Sequence, residues 1–125
     1  MRKLLVDTSV IIDFLRRKDK EKTLLYKLSN NDLYASMVTH TELYSGVSVW
    51  EKKEAKEELE ELFSGITLLP LTNEVSQEAG HIKAQSHDSS ILDCIIAATA
   101  LHHDLDIVTL NKKDFEKIKG IYLWP

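Results

Sequence analysis

The sequence predicts an α/β fold of three layers, α/β/α, in which a central parallel sheet is covered by helices on both faces. Three observations carry this prediction. Short apolar runs recur along the chain and alternate with stretches of helical spacing. No repeat, Gly/Ser linker or low-complexity tract interrupts the alternation, and the four glycines and two prolines are scattered as turn punctuation. Polar residues cluster just after two of the apolar runs, at the carboxyl ends of the strands, where open parallel sheets hold their ligands.

Taken in order, Lys3 to Val6 fits a buried first strand, and Val10 to Leu15 follows with helical spacing. A second helix is expected over Lys20 to Leu28 and a second strand over Leu33 to Ala35. Thr39 to Val49 reads as a helix in which Thr39 and Glu42 have the spacing of a capping box. Glu51 to Phe63 is a charged amphipathic helix: Ala55, Leu59, Leu62 and Phe63 form its apolar side, and its Lys and Glu residues face water. Ile66 to Leu69, stopped by Pro70, is the third strand, followed by helices over Glu74 to Gln85 and Ser90 to His102. Ile107 to Leu110 supplies a fourth strand, Lys112 to Ile118 a short helix, and Ile121 to Leu123 a last strand.

A length of 125 residues predicts one domain spanning 1–125. The apolar share of 43% suffices for a folded core and argues against disorder. A lone cysteine, Cys94, excludes an intramolecular disulfide and points to a reducing, cytoplasmic setting; in an apolar helix it reads as a buried, inert thiol. The stretch from Met1 to Val6 is too short for a signal-peptide core or a membrane span, so no membrane association is expected. A net charge of −4 weighs against nucleic acid as a partner, unless the acids serve to hold cations. Arg16, Arg17, Lys18, Lys112 and Lys113 remain for phosphate contact.

Three acids stand out, and each has a bland explanation of its own. Asp7, directly after the first strand, is also placed to cap the helix that follows. Glu42 could bond back to the Thr39 amide in the capping box. Asp93, three residues after Ser90, sits in the first turn of a helix, where the dipole favours a negative charge. Yet Asp93 shares its face with Ile96, Ala97 and Ala100, a border that makes an unpaired carboxylate costly. Thr109, Asn111 and Asp114 add oxygen donors near the end of the fourth strand, at the edge where Asp7 emerges. Carboxylates gathered at one edge repel one another, and a divalent cation such as Mg²⁺, a hard ion with oxygen ligands, relieves that repulsion.

The segments VDTSVIIDFL around Asp7, THTELYSG around Glu42, LDCIIAATAL around Asp93 and VTLNKKDF near the end, in this order, resemble the PIN domain. Within it they resemble the VapC-like ribonuclease toxins of type II toxin–antitoxin pairs. The resemblance covers essentially the whole chain. It implies Asp7 and Asp93 as metal ligands, Glu42 as third acid, and a fourth acidic position where this chain has Asn111, with Asp114 as its substitute. Ser9 and Thr109 would be supporting hydroxyls. It further implies Mg²⁺, with Mn²⁺ as a substitute, an RNA substrate cut with a 5′-phosphate and a 3′-hydroxyl, a homodimer, and a VapB-like antitoxin as protein partner.

Other classes fit less well. A phosphoacceptor receiver domain wants an acidic pair after the first strand and a Lys after the last, and VDTS and YLWP supply neither. A haloacid-dehalogenase-type phosphatase needs a second Asp where Ser9 stands. Zinc chemistry lacks ligand spacing among His40, His81, His87, His102, His103 and the one cysteine; adjacent His102 and His103 read as helix-end residues. Trp50 and Trp124 are expected to pack rather than to stack on bases. A noncatalytic interaction module would keep the fold and the acids but bind no divalent ion.

Overall fold

A computed structural model describes residues 2–125; Met1, the start of the stretch expected to open on a strand, lies outside them. Four strands form one parallel sheet: β1 (Lys3–Val6), β2 (Asp32–Ser36), β3 (Thr67–Leu69) and β4 (Asp106–Val108), in the order β3-β2-β1-β4. Side chains alternate along a strand, so β1 feeds two cores at once. Leu4 and Val6 join Leu33, Ala35 and Val108 on one face, and Leu5 joins Ile107 on the other.

The first face is covered by α1 (Thr8–Arg16), α2 (Leu24–Lys27), α3 (Met37–Tyr44), α4 (Val47–Glu51) and α5 (Lys53–Ser64). The second is covered by α6 (Asn73–Gln85), α7 (Ile91–His103) and α8 (Lys112–Glu116). Three layers result, as the alternation predicts. No helix among the described residues is long and apolar enough to cross a membrane.

Several boundaries differ from the sequence reading. The expected helix over Lys20 to Leu28 divides into a 3₁₀ turn, Lys20–Lys22, and α2, because the Thr23 side chain accepts from the Tyr26 amide and starts a new helix. The expected helix over Thr39 to Val49 breaks at Ser45 and Gly46, with Gly46 extended at the start of α4. Its true cap is Ser36, whose Oγ accepts from the Val38 amide at 3.2 Å, so Thr39 and Glu42 form no capping box. The charged helix begins at Lys53 rather than Glu51. The last expected strand reduces to one parallel bridge, Ile107 to Leu123, flanked by Ile107 N–H to the Tyr122 carbonyl and Trp124 N–H to the Ile107 carbonyl. Trp50 is 64% exposed, contrary to the packing expected of it, with its indole N–H donating to the Tyr44 carbonyl.

Strand order sets the place for chemistry. The chain runs from β1 outward through β2 and β3, then returns to the other side of β1 for β4. The direction of winding thus reverses between β1 and β4, and beyond their carboxyl ends an open sheet leaves a crevice. Asp7 follows β1 and Thr109 follows β4 at that point.

Candidate active site

Asp7 occupies the N-cap position of α1, yet its side chain caps nothing. Its Oδ2 instead accepts hydrogen bonds from Thr109 Oγ at 2.8 Å and Ser9 Oγ at 2.9 Å. Ser9 Oγ in turn accepts from the Leu110 amide at 3.1 Å, and Thr109 Oγ from the Asn111 amide at 2.9 Å. Hydrogen bonds to a charged group contribute about 1.5–3 kcal/mol each, enough to hold a carboxylate that is only 5% exposed. Both hydroxyls converge on one oxygen, and Oδ1 accepts no hydrogen bond from the described residues.

Glu42 is positioned by the helix that Ser36 starts. Its Oε1 accepts from Thr8 Oγ at 2.8 Å, and the same hydroxyl lies 3.1 Å from Thr39 Oγ in the interior. Asp93 comes from the first turn of α7, where Ser90 Oγ accepts the Asp93 amide at 3.0 Å. The next two turns bury Ile96, Ala97 and Ala100, so the carboxylate stands at the rim of the apolar core. Burial pushes the Asp93 carboxyl above the ordinary range; the Ser90 side chain works against this, while the charges of Asp7, Asp114 and Glu42 add to it.

Asp7, Ser9, Glu42, Asp93 and Asn111 line one cleft of about 440 Å³, together with Thr8, Asp13 and Ser90. Every polar group on that wall is an oxygen donor except the amide nitrogen of Asn111. The PIN domain pattern matches residues 4–121. The chain belongs to the PIN domain family. Ribonuclease VapC19 of Mycobacterium tuberculosis is 30% identical over 117 residues, covering 89% of this chain and 90% of that protein. A ribonuclease VapC of Rickettsia bellii is 33% identical over 124 residues, covering 92% and 90%. The crystal structure of a DNA-bound VapBC from Salmonella typhimurium shares the fold, with a TM-score of 0.84 at 23% identity over 99% of this chain and 98% of that one.

In this PIN domain the predicted residues are not all brought to one wall. Thr109 lies behind the cleft, 3% exposed, and touches its wall through Asp7, Ser9 and the Asn111 amide. Asp114 is exposed on α8 and lines the neighbouring cleft, although its charge is felt at Asp93. Two wall residues escaped the sequence reading. Thr8 adjoins Asp7 but carries no distinctive spacing, and only the packing of α1 on α3 gives it Glu42 as a partner. Asp13 was legible in principle, since it falls four residues after Ser9 on the same helical face. Its carboxylate pairs with Arg17 at 3.6 Å, an exposed pair one helical turn apart.

The donor set suits a hard divalent ion. Among the described residues no three His, Cys, Asp or Glu side chains stand close enough to chelate an ion unaided. Magnesium tolerates this, because it commonly binds through one or two carboxylates and completes its shell with water and substrate phosphates. Cys94 is buried, and burial pushes its thiol up, as expected of an inert core residue.

Proposed function

We propose that the chain is a divalent-metal-dependent endoribonuclease, with Asp7 and Asp93 as the residues that would hold Mg²⁺ or Mn²⁺. The observation that carries this reading is the contrast at Asp7, where two hydroxyls fix one carboxylate oxygen and leave the other for the cleft that Asp93 faces. When bound, the ion supplies charge stabilisation for a phosphoryl group and an acidified water. Ser9 and Thr109 keep the Asp7 carboxylate oriented, and Thr8 does the same for Glu42. Glu42, with Oε1 engaged, takes the proton of the attacking water at its remaining oxygen. Asn111 offers a neutral amide to the substrate from the wall, and Asp114 acts on the site through its charge.

The relatives named ribonuclease VapC support RNA as the substrate, and the VapBC assembly supports an antitoxin protein as partner. A homodimer, one domain over 1–125 and a cytoplasmic setting complete the proposal. The test compares wild type with Asp93→Asn on structured RNA in Mg²⁺ and in EDTA. Cleavage by wild type in Mg²⁺ alone supports the reading. Equal cleavage in all four mixtures contradicts it.

A further inference from the structure

Ser86 to Ser90 carry the chain from α6 into α7, and Asp93 stands in the first turn beyond them. The connection reads Ser-His-Asp-Ser-Ser, so no apolar side chain anchors it, yet Ser89 is only 5% exposed. What holds it is Lys83, half-buried in the last turn of α6, whose ammonium donates to the carbonyls of His87 and Ser89 at 2.6 Å each. The Ser86 and Ser89 hydroxyls lie 2.7 Å apart, and the Ser89 amide donates to the Ser86 carbonyl at 3.0 Å, which closes the turn against α6. Lys83 is in no salt bridge among the described residues, so its charge is spent on those two carbonyls. The residue after Ser89 starts α7: the Ser90 carbonyl accepts from the Cys94 amide at 3.0 Å and Ser90 Oγ from the Asp93 amide at 3.0 Å. The peptide that Lys83 grips is therefore the one that joins the connection to the cap of Asp93.

We propose that Lys83 is a positioning residue for Asp93: by holding the His87 and Ser89 carbonyls from α6, it sets the Ser90 cap and with it the direction in which the first turn of α7 presents the carboxylate to the cleft. This rests on the nuclease reading above, in which Asp93 holds the ion. A lysine in the last turn of a helix is favoured by the dipole alone, and on that simpler reading its loss costs stability and nothing else. Two features argue for more. Both bonds of the ammonium leave its own helix for the connection, and the second falls on the residue directly before the cap. Lys117 supplies the contrast, since it reaches the same connection through Asp88 at 3.8 Å, but with both side chains well exposed the pair contributes little. A buried grip on the backbone fixes a direction, whereas an exposed ion pair does not.

The experiment compares wild type, Lys83→Met, Lys83→Arg and Lys117→Met by two readouts. Amide hydrogen exchange, followed by NMR in the metal-free protein, reports the Asp93 and Cys94 amides that Ser90 holds. Initial rates on structured RNA in saturating Mg²⁺ report kcat and KM separately. In Lys83→Met the two amides are expected to lose protection while the rest of α6 and α7 keeps it. With the carboxylate misplaced, kcat falls about 10- to 100-fold and KM stays at the wild-type value, because no group that meets the substrate has changed. Lys83→Arg, with two donor arms for the two carbonyls, restores both readouts. Lys117→Met behaves as wild type in both. Should Lys83→Met fail to fold, Lys83→Gln, which is neutral and keeps a donor, is read in the same way.

Unchanged protection at Asp93 and Cys94, a loss spread evenly over α6 and α7, an equal effect in Lys117→Met, or an arginine that restores neither readout overturns the positioning role. If wild type cleaves RNA in Mg²⁺ and Lys83→Met cleaves as fast, the nuclease reading stands and the positioning role falls. If wild type cleaves nothing but Lys83→Met loses protection at those two amides alone, Lys83 still positions Asp93 and the nuclease reading falls.

Discussion

The acidic cleft and the groove lined by Phe14, Leu25, Leu33, Leu62 and Ile66 both lie against α1, and they treat charge in opposite ways. In the groove, the Lys20 ammonium donates to the carbonyls of Phe14 and Leu15, lies over the Phe14 ring and faces Glu58. Its charge is answered by the protein itself. In the cleft, hydroxyls orient Asp7 and Glu42 without neutralising them, while the one ion pair on the wall is spent on Asp13. Orientation without neutralisation is what a site for an external cation requires; burial is the main cause of the raised Asp93 carboxyl, and the charges of Asp7, Asp114 and Glu42 add to it.

The sharpest way to break this comparison is to neutralise the cleft. Asp7→Asn or Asp93→Asn should each slow RNA cleavage more than about 100-fold, because even the outer partners of metal ligands typically contribute about 10- to 100-fold. Initial-rate assays in Mg²⁺ check this. Thr109→Val tests orientation while keeping every carboxylate, since it removes one of the two bonds to Asp7 Oδ2 and the acceptor of the Asn111 amide. A loss within that same range of about 10- to 100-fold is expected. Asp114→Asn should cost less than about 10-fold, below the range of an oriented outer partner, because Asp114 lies outside the acidic wall. On the other side of the comparison, Lys20→Met should lower stability by about 0.5–1.5 kcal/mol through its lost hydrogen bonds and leave cleavage at the wild-type rate.

Proton linkage gives the comparison a sign. Burial, opposed by Ser90 and reinforced by Asp7, Asp114 and Glu42, raises the Asp93 carboxyl in the folded state. Between the ordinary carboxylate range and that raised value, the folded protein binds more protons than the unfolded chain. Metal-free stability therefore falls as pH rises through the window. Urea melts in EDTA should show this slope in wild type and a flatter one in Asp93→Asn.

The layers and the strands were legible in the sequence because apolar periodicity reports burial directly. The acids were legible because two of them sit where strands end or helices begin. Strand order was not: the sequence put Thr109 at the edge where Asp7 emerges, but the hydrogen bond that joins the two across 102 residues is a product of β4 lying beside β1. Local capping rules also misled at Thr39, since Ser36 offered a cap three residues earlier and the Thr39 hydroxyl turned inward to Thr8. Thr8 stayed hidden because its role depends on which helix faces α1, a tertiary fact, whereas Asp13 could have been read from its spacing to Ser9 on one helical face. Asp114 was legible as an acid near the site: it lines the neighbouring cleft, yet its charge weighs on Asp93 more than that of Glu42 does.

Under the proposed function the cleft holds carboxylate charge for an ion, at a cost to the metal-free fold. Thermal melting of wild type and Asp93→Asn across a Mg²⁺ titration measures that cost and its relief. Asp93→Asn should melt above wild type in EDTA. Wild type should then gain with Mg²⁺, by about 2.7 kcal/mol at a hundredfold excess over the dissociation constant, and the variant by far less. A variant that melts below wild type in EDTA and responds to Mg²⁺ equally would contradict the account.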